Sequence, residues 1–478
     1  MTSPPTSDHP RRAETPGAHD TVIGPSQIDR VVAGGFCIGC GACTLGRNAA
    51  FDVGMTREGH YVAARIRPDG PGDEAVCPMS DLGRDETAIG ASLYPDLPFD
   101  PEIGRHRATL AGHVAEGRYR AEGAAGGLVT WLAQTLLERG MVDAVAHIHA
   151  VPGDGAGGPL FQFALSRDVD TLRAGAKSRY YPVTMAEVLP LIAGGTDRFL
   201  VIGVPCFIKA IRQLQDAGRI SHEQVPFTIG LVCGHLKSRF FAEYLAWQGG
   251  TGADRLHAVN FRHKLEGRQA SSYGFAHRRR DAPDDEVVRP MSTLAGRDWG
   301  EGQFKNPACE CCDDVVGECA DISVGDAWLS PYVGDWRGSN VVVTRNAEID
   351  AIVAEGRRDG ALEMDDVTPE QVALSQSSGL RHRREGLAHR LARLDTKGHW
   401  HPRKRVAPRL ADERSRRLIY DMRYWIARNS SRVAADILGR GGTFEAYRRR
   451  MRPVMLALKI ATSGKRIALQ RMRRLTRR

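Results

Sequence analysis

Residues 36–43 read FCIGCGAC, a C-x-x-C-x-x-C run that sets three thiols, Cys37, Cys40 and Cys43, within seven positions. Thiols that close together must converge on a shared ligand, and that limits how this part of the chain can fold. The small residues Gly39, Gly41 and Ala42 let backbone amides turn toward the sulfurs. A remote Cys-Pro, here Cys77-Pro78, completes coordination in bacterial ferredoxin-type binding. The three local cysteines and Cys77 therefore suit one 4Fe–4S cluster. Zinc is the rival, since it also accepts four thiolates, but zinc sites usually use two separated C-x-x-C pairs. Residues 1–27 are rich in Pro, Ser and Thr, with no apolar signal core, and read as disordered. A cytoplasmic address follows, where thiols stay reduced and a disulfide knot is disfavoured.

The other cysteines form a second, scattered set. Cys206 stands where the apolar run RFLVIGVP meets the helical pattern CFIKAIRQLQ, and Cys233 ends the apolar run FTIGLVC. Ligands of an open α/β sheet gather beyond the carboxyl ends of its strands, which makes these two cysteines candidate neighbours. PACECCDDVVGEC adds Cys309, Cys311, Cys312 and Cys319. Cys309 and Cys312 can grip one side of a second 4Fe–4S cluster, with Cys206 and Cys233 on the other. Cys311 and Cys319 are left over, and either is an alternative ligand. Taken singly, a buried cysteine is a small apolar residue.

Continuous apolar runs bounded by helical patterns indicate an α/β fold with mixed α+β elements. Leu128, Leu132 and Leu136 recur at helical spacing behind a glycine-rich turn, Gly140 is placed to stop that helix, and residues 141–151 read as a strand. ADISVGDAW and NVVVTRN read as two later strands, GDGAGG as a loop tip, and residues 350–396 as helical and charged. The expected organisation is a disordered start (1–27), an N-terminal iron–sulfur module (28–100), a flavin-side domain (105–192), a domain carrying the second cluster (193–395) and a basic helical tail (396–478). The longest apolar run, FLVIGVPCFIKAI, is too short to span a bilayer and is broken by Pro205 and Lys209.

The segments GAAGGLVTWLA, GAKSRYYP, VIGVPCFIKAIRQL, GLVCGH, VNFRHK, ACECC…ECADISVGDAW and SNVVVTRN occur in an order that resembles the coenzyme F420 hydrogenase/dehydrogenase beta-subunit family over roughly residues 30 to 350. The resemblance implies FAD, one or two 4Fe–4S clusters, and hydride exchange with a deazaflavin or another reducible substrate. It implies that Cys206, Cys233, Cys309 and Cys312 are ligands, that Gly126, Gly127 and Thr130 lie near the flavin, and that Lys177, Ser178, Arg179 and Tyr180 border it. Asn340 and Thr344 fall in a strand resembling one that lines the same pocket. Two departures stand out: Ala125-Gly126-Gly127 replaces an Asp-Gly-Gly pattern, and the doublet Cys311-Cys312 is unusual.

A glycine-rich turn at a helix start offers free N–H groups to a pyrophosphate, although such glycines often serve only as turns. Lys177 and Arg179 suit phosphate or a reduced, anionic flavin, and equally suit a plain surface. Phe261, Arg262 and Lys264 read as cofactor contacts or as a strand-end charge cluster. Asp326 and Trp328 read as pocket walls or core. His235 and His263 are the best-placed candidates for proton transfer, against the commoner structural histidine.

The expected function is an oxidoreductase passing electrons between clusters and FAD and exchanging hydride with coenzyme F420 or another substrate. The alternative is a non-catalytic electron-transfer subunit. A ferredoxin or similar protein is the expected partner. The chain carries a net charge of +9, and the stretch from Lys397 onward is crowded with arginine. That tail reads as a solvated basic helix, or as a surface for an acidic partner or for the inner face of an anionic membrane. Without a base-reading module, nucleic acid is not expected.

Overall fold

The computed structural model describes residues 26–46, 49–68, 73–151 and 158–475, with side chains to residue 464. Residues 1–25 of the expected disordered start and most of the GDGAGG loop lie outside these residues; Ser26 and Gln27, expected in that start, are instead the cap and first residue of a helix.

The N-terminal module begins with helix α1 (Gln27–Ala33). Its capping box pairs the Ser26 hydroxyl with the Asp29 N–H and the Asp29 carboxylate with the Ser26 N–H. The cysteine run follows, and a hairpin of β1 (Phe51–Met55) and β2 (Tyr61–Arg65) closes over it. Gly39 and Gly41 adopt φ of +70° and +88°. A Cβ on Gly39 would meet the Tyr61 carbonyl oxygen at 2.4 Å, so the run can coil this tightly only with glycine there.

The core is one eight-stranded sheet. Its first part is β3 (Ala108–Val114), helix α2 (Leu128–Glu138), β4 (Ala144–Ala150), β5 (Phe161–Ser166), β6 (Phe199–Gly203), helix α3 (Pro205–Asp216) and β7 (Phe227–Leu231). A separate three-stranded antiparallel sheet of β8 (Leu256–His263), β9 (Gly274–Arg279) and β10 (Ala282–Pro290) intervenes. β11 (Ile322–Asp326), β12 (Asn340–Thr344), helix α4 (Ala347–Arg358) and β13 (Leu362–Asp366) complete the large sheet. The spatial order is β13-β3-β12-β11-β7-β6-β4-β5. β4, β6, β7 and β11 run parallel in the middle, and antiparallel strands flank them on both sides. β6 is buried along its whole length, as its unbroken apolar sequence demands.

β13 corrects the reading of residues 350–396 as wholly helical. LEMDD is short and acidic, and it becomes a strand because β3 offers it an open sheet edge.

The basic tail is helical, in α5 (Arg414–Leu438) and α6 (Phe444–Leu475), but it is not a solvated appendage. Ile426, Ala434, Tyr447, Met451 and Leu458 are buried in the same apolar cluster as the sheet. Arg428 donates to the carbonyl of Gly34, and Arg57 pairs with Asp436, so the tail also grips the N-terminal module. Among the described residues, no helix is long and apolar enough to cross a membrane.

Candidate functional site

In the N-terminal set, burial pushes up the thiols of Cys37, Cys40, Cys43 and Cys77, the last to about 12. After burial, the next influences on Cys40 are the charges of Cys77 and Cys43, so the four thiols face one another. The Ala63 N–H of β2 donates to Cys37 Sγ at 3.3 Å.

In the second set, Cys206 opens α3 beyond the carboxyl end of β6, and Cys233 follows the carboxyl end of its parallel neighbour β7. Burial raises Cys206 most, followed by the charges of Cys312, Cys233, Cys309 and Cys40. Cys309 is pushed up to about 11 by burial, with the Lys305 ammonium opposing. The Leu236 N–H donates to Cys309 Sγ at 3.2 Å, and Arg383 Nε to Cys312 Sγ at 3.4 Å. The 42–44 turn of the N-terminal cysteine run packs against α3, the helix that Cys206 opens, which brings the two sets near each other. Cys319 stands apart: its buried thiol is influenced by Glu86, Asp314, Lys209 and Glu318. Cys311 faces Lys404 and Asp313, with its chain neighbour Cys312 weaker.

Among the described residues, no group of three or more His, Cys, Asp or Glu side chains is gathered so as to hold a metal ion. A cube with iron at alternate corners spreads its four thiolates further apart than a single tetrahedral ion does. Each set brings cysteine thiols near one another with N–H donors on their sulfurs, a donor set that thiolate-bound iron–sulfur clusters use.

Beside the second set lies a cavity of about 230 Å³ at the carboxyl edge of the parallel strands. Gly126 is not in its lining. Gly127, Thr130, Lys177, Ser178, Arg179, Tyr180, Cys233, His235 and Asn340 are. Gly127 has φ +90°, and a Cβ on Gly126 would lie 2.8 Å from both the Asn340 nitrogen and the Gly112 carbonyl oxygen. The glycines thus let the turn press against the sheet. Asn340 Oδ1 accepts from the Leu128 N–H at 3.2 Å and so caps α2. Lys177 carries φ +101°, an unusual strain for a lysine, at the cavity edge. Burial holds the Arg179 guanidinium down to about 10, and its Nε finds no partner. An outer cavity of about 660 Å³ shares Ala176, Lys177 and Arg179 with the inner one. Ligand pockets measure roughly 300–1,000 Å³; the inner cavity alone falls below that range and the two cavities together fall within it.

The two histidines separate. His235 is buried in the cavity wall, its ring 4.4 Å from that of Trp299, with Nε2 unpartnered. Burial and then the Lys237 charge hold it neutral. His263 instead pairs with Glu286 at 3.4 Å and lies outside this cavity, which removes its proposed proton-transfer position. Thr344 likewise sits at the far end of β12, where its hydroxyl donates to Asp350 at 2.6 Å. Arg262 is closed in an ion pair with Asp326 at 2.6 Å.

Three residues escaped the sequence reading: Trp299, Lys237 and Arg383. Lys237 lies 4.9 Å from the Trp299 ring, and its ammonium is pushed down to about 7 by burial and Lys305. Only the closeness of Lys237 to Cys233 hinted at a role. Arg383 lies 71 positions from its thiol partner.

Residues 109–190 match the family described as coenzyme F420 hydrogenase/dehydrogenase, beta subunit N-term, and residues 196–370 match its C-terminal counterpart. A coenzyme F420-dependent sulfite reductase of Methanocaldococcus jannaschii is 21% identical over 346 residues, 67% of this chain but 46% of its own length. A coenzyme F420 hydrogenase subunit beta of Methanosarcina barkeri is 24% identical over 251 residues, 51% of this chain and 79% of its own. A solved structure of the F420-reducing NiFe hydrogenase complex from Methanosarcina barkeri aligns with a TM-score of 0.46 at 18% identity, covering 66% of this chain and 99% of that one.

Proposed function

This chain belongs to the coenzyme F420 hydrogenase/dehydrogenase beta-subunit family, and from that premise we propose that it is an iron–sulfur flavoprotein oxidoreductase. One 4Fe–4S cluster is assigned to Cys37, Cys40, Cys43 and Cys77, and a second to Cys206, Cys233, Cys309 and Cys312. FAD is assigned to the paired cavities. When bound, clusters supply one-electron transfer, and a flavin interconverts one- and two-electron chemistry, including hydride exchange with coenzyme F420 or another reducible substrate.

The observation that carries this reading is contiguity. The turn of the N-terminal cysteine run packs on α3, which Cys206 opens, and Cys233 lines the cavity together with the glycine-turn helix. The protein's own contribution is to bind, orient and shield. The Ala63 and Leu236 amides and the Arg383 guanidinium donate to ligand sulfur, which offsets thiolate charge. Lys177 and Arg179 supply cations for a pyrophosphate. Trp299, edge-on to Tyr180 at 4.7 Å, helps keep water from the inner cavity. His235 is the remaining proton-transfer candidate.

Anaerobic reconstitution tests the reading. About eight irons per chain are expected, the content of two cubes, with FAD released on denaturation. Reduced coenzyme F420, NADPH and reduced ferredoxin are then screened for bleaching of the flavin bands. Zinc in place of iron, or no flavin, overturns the proposal. The Methanosarcina barkeri relative is named as a subunit, which favours the electron-transfer alternative as a second reading. Bleaching by a protein donor without turnover of any small substrate selects it.

A further inference from the structure

A second cavity lies apart from the one assigned to the cofactor. It measures about 960 Å³ and lies between the segment 291–305, inside the matched family region, and residues 378–463, which follow the end of that region at residue 370. Its lining carries eight Arg or Lys residues against three carboxylates, Asp298, Glu301 and Glu310. Some of those cations are engaged: Lys305 binds Glu310 at 2.7 Å, and Arg383 serves Cys312 and the Gly234 carbonyl. Arg381, Arg423 and Arg452 line the chamber without an ion pair among the described residues, and the buried Arg423 Nε has no hydrogen-bond acceptor. Met291, Leu294, Met451 and Met455 give the same chamber an apolar side.

The chamber and the inner cofactor cavity share a wall. Gly234, His235 and Trp299 line both, and a Cβ on Gly234 would come within 3.1 Å of the Trp299 ring. A molecule in the chamber therefore meets the far face of the residues that close the cofactor cavity. A room this size with surplus guanidinium groups and a thioether-lined side selects a ligand with an oxyanion end and an apolar body.

We propose that the chamber is a ligand site separate from the cofactor cavity, and that its ligand carries phosphate or carboxylate groups held by Arg423, Arg452 and Arg381, with its apolar body against Met291, Leu294, Met451 and Met455. This anion recognition does not rest on the flavin assignment. The C-terminal helices then act as the specificity element this chain adds to its family's core.

Calorimetric titration of the full chain with inorganic pyrophosphate, and separately with citrate, tests this and separates phosphate from carboxylate preference. Saturable binding of at least one anion is expected, weakened at least tenfold in the double variant Arg423→Gln/Arg452→Gln. It should be unchanged in Arg139→Gln/Arg167→Gln, at surface ion pairs outside the chamber and both cofactor cavities. A second measurement does not depend on the double variant folding: in Met455→Cys, the bound anion should slow maleimide labelling of the new thiol severalfold. No binding of either anion, unaltered binding in the double variant, or labelling unaffected by a bound anion overturns the proposal. Absence of anion binding in the wild-type chain with its full flavin sinks the chamber and leaves the cofactor reading standing. Anion binding in protein that takes up no flavin does the reverse.

Discussion

Lys264 shows how a residue's meaning depends on partners that its sequence neighbours do not announce. In VNFRHK it reads as a cofactor contact or a strand-end charge. The fold instead turns its Nζ onto the carbonyls of Arg120 and Ala125, behind the glycine turn. Burial, and next the Lys177 charge, push the ammonium down to about 7. The unfolded chain keeps a lysine protonated to about pH 10.4, so between the two values the unfolded state binds more protons and stability rises with pH. Below about 7 both states are protonated and the benefit is absent. Lys264→Met should therefore flatten the rise in stability between pH 7 and pH 9 by roughly 1–2 kcal/mol, since a tenfold change in proton affinity corresponds to about 1.4 kcal/mol and partial exposure screens part of it. Urea midpoints of the cofactor-free chain across that range check the slope, and equal slopes refute it. The run Cys37, Cys40 and Cys43 stands out because its spacing is a chemical constraint that local sequence displays, and the ligand role of its thiols belongs to the proposal. His263 and Thr344 were not legible, because Glu286 and Asp350, which hold them away from the cavity, come from outside the motifs they belong to.

Elements were legible wherever burial on both faces leaves an unbroken apolar run, as in β6 and β7. The three-stranded sheet and β13 were not, because exposed strands such as APDDEVVRP carry no apolar signature and form by pairing with what is already folded. The turn before α2 was legible as a turn, but its function was overdetermined. Its glycines meet a steric demand whether or not a pyrophosphate sits nearby. Gly126→Ala separates these. The added methyl would stand 2.6 Å from Asn340 Oδ1 and 2.8 Å from two backbone atoms. A clash with backbone cannot be relieved by rotating a side chain, so a loss of about 1–3 kcal/mol is expected, with Asn340 displaced from its cap. Gly194→Ala, in a helix with open space around it, should be neutral or stabilising by up to about 1 kcal/mol. Thermal melts with flavin content read alongside decide whether the turn is only a packing device. Flavin retained at full occupancy in a destabilised Gly126→Ala would say so.

At the scale of the whole molecule, the tail and the second cysteine set form one structure. The segment that reaches Cys309 begins with Phe304, a non-glycine residue at φ +55°, and two tail residues hold this region in place. Ser430 of α5 accepts from the Phe304 N–H at 2.8 Å, and Tyr447 of α6 stacks on the Phe304 ring at 5.1 Å. The Tyr447 hydroxyl also donates to Gln303 at 3.1 Å. A strained backbone persists only where its surroundings overdetermine it, so loosening the tail should be felt at Cys309 and Cys312 before it is felt at the N-terminal run. Tyr447→Ala removes a fully buried aromatic and should cost about 3–5 kcal/mol. The informative readout is where that loss appears. Under a chelator, the variant should release about four of its irons, one cube, faster than wild type and hold the remainder at the wild-type rate. Equal acceleration for all the iron, or none despite a lowered melting temperature, would make α6 a general stabiliser with no special tie to the second set. Basic composition gave no hint of this coupling, because charge describes the solvent side of α5 and α6, whereas their role is set by Ser430, Tyr447 and the buried apolar stripe beside them.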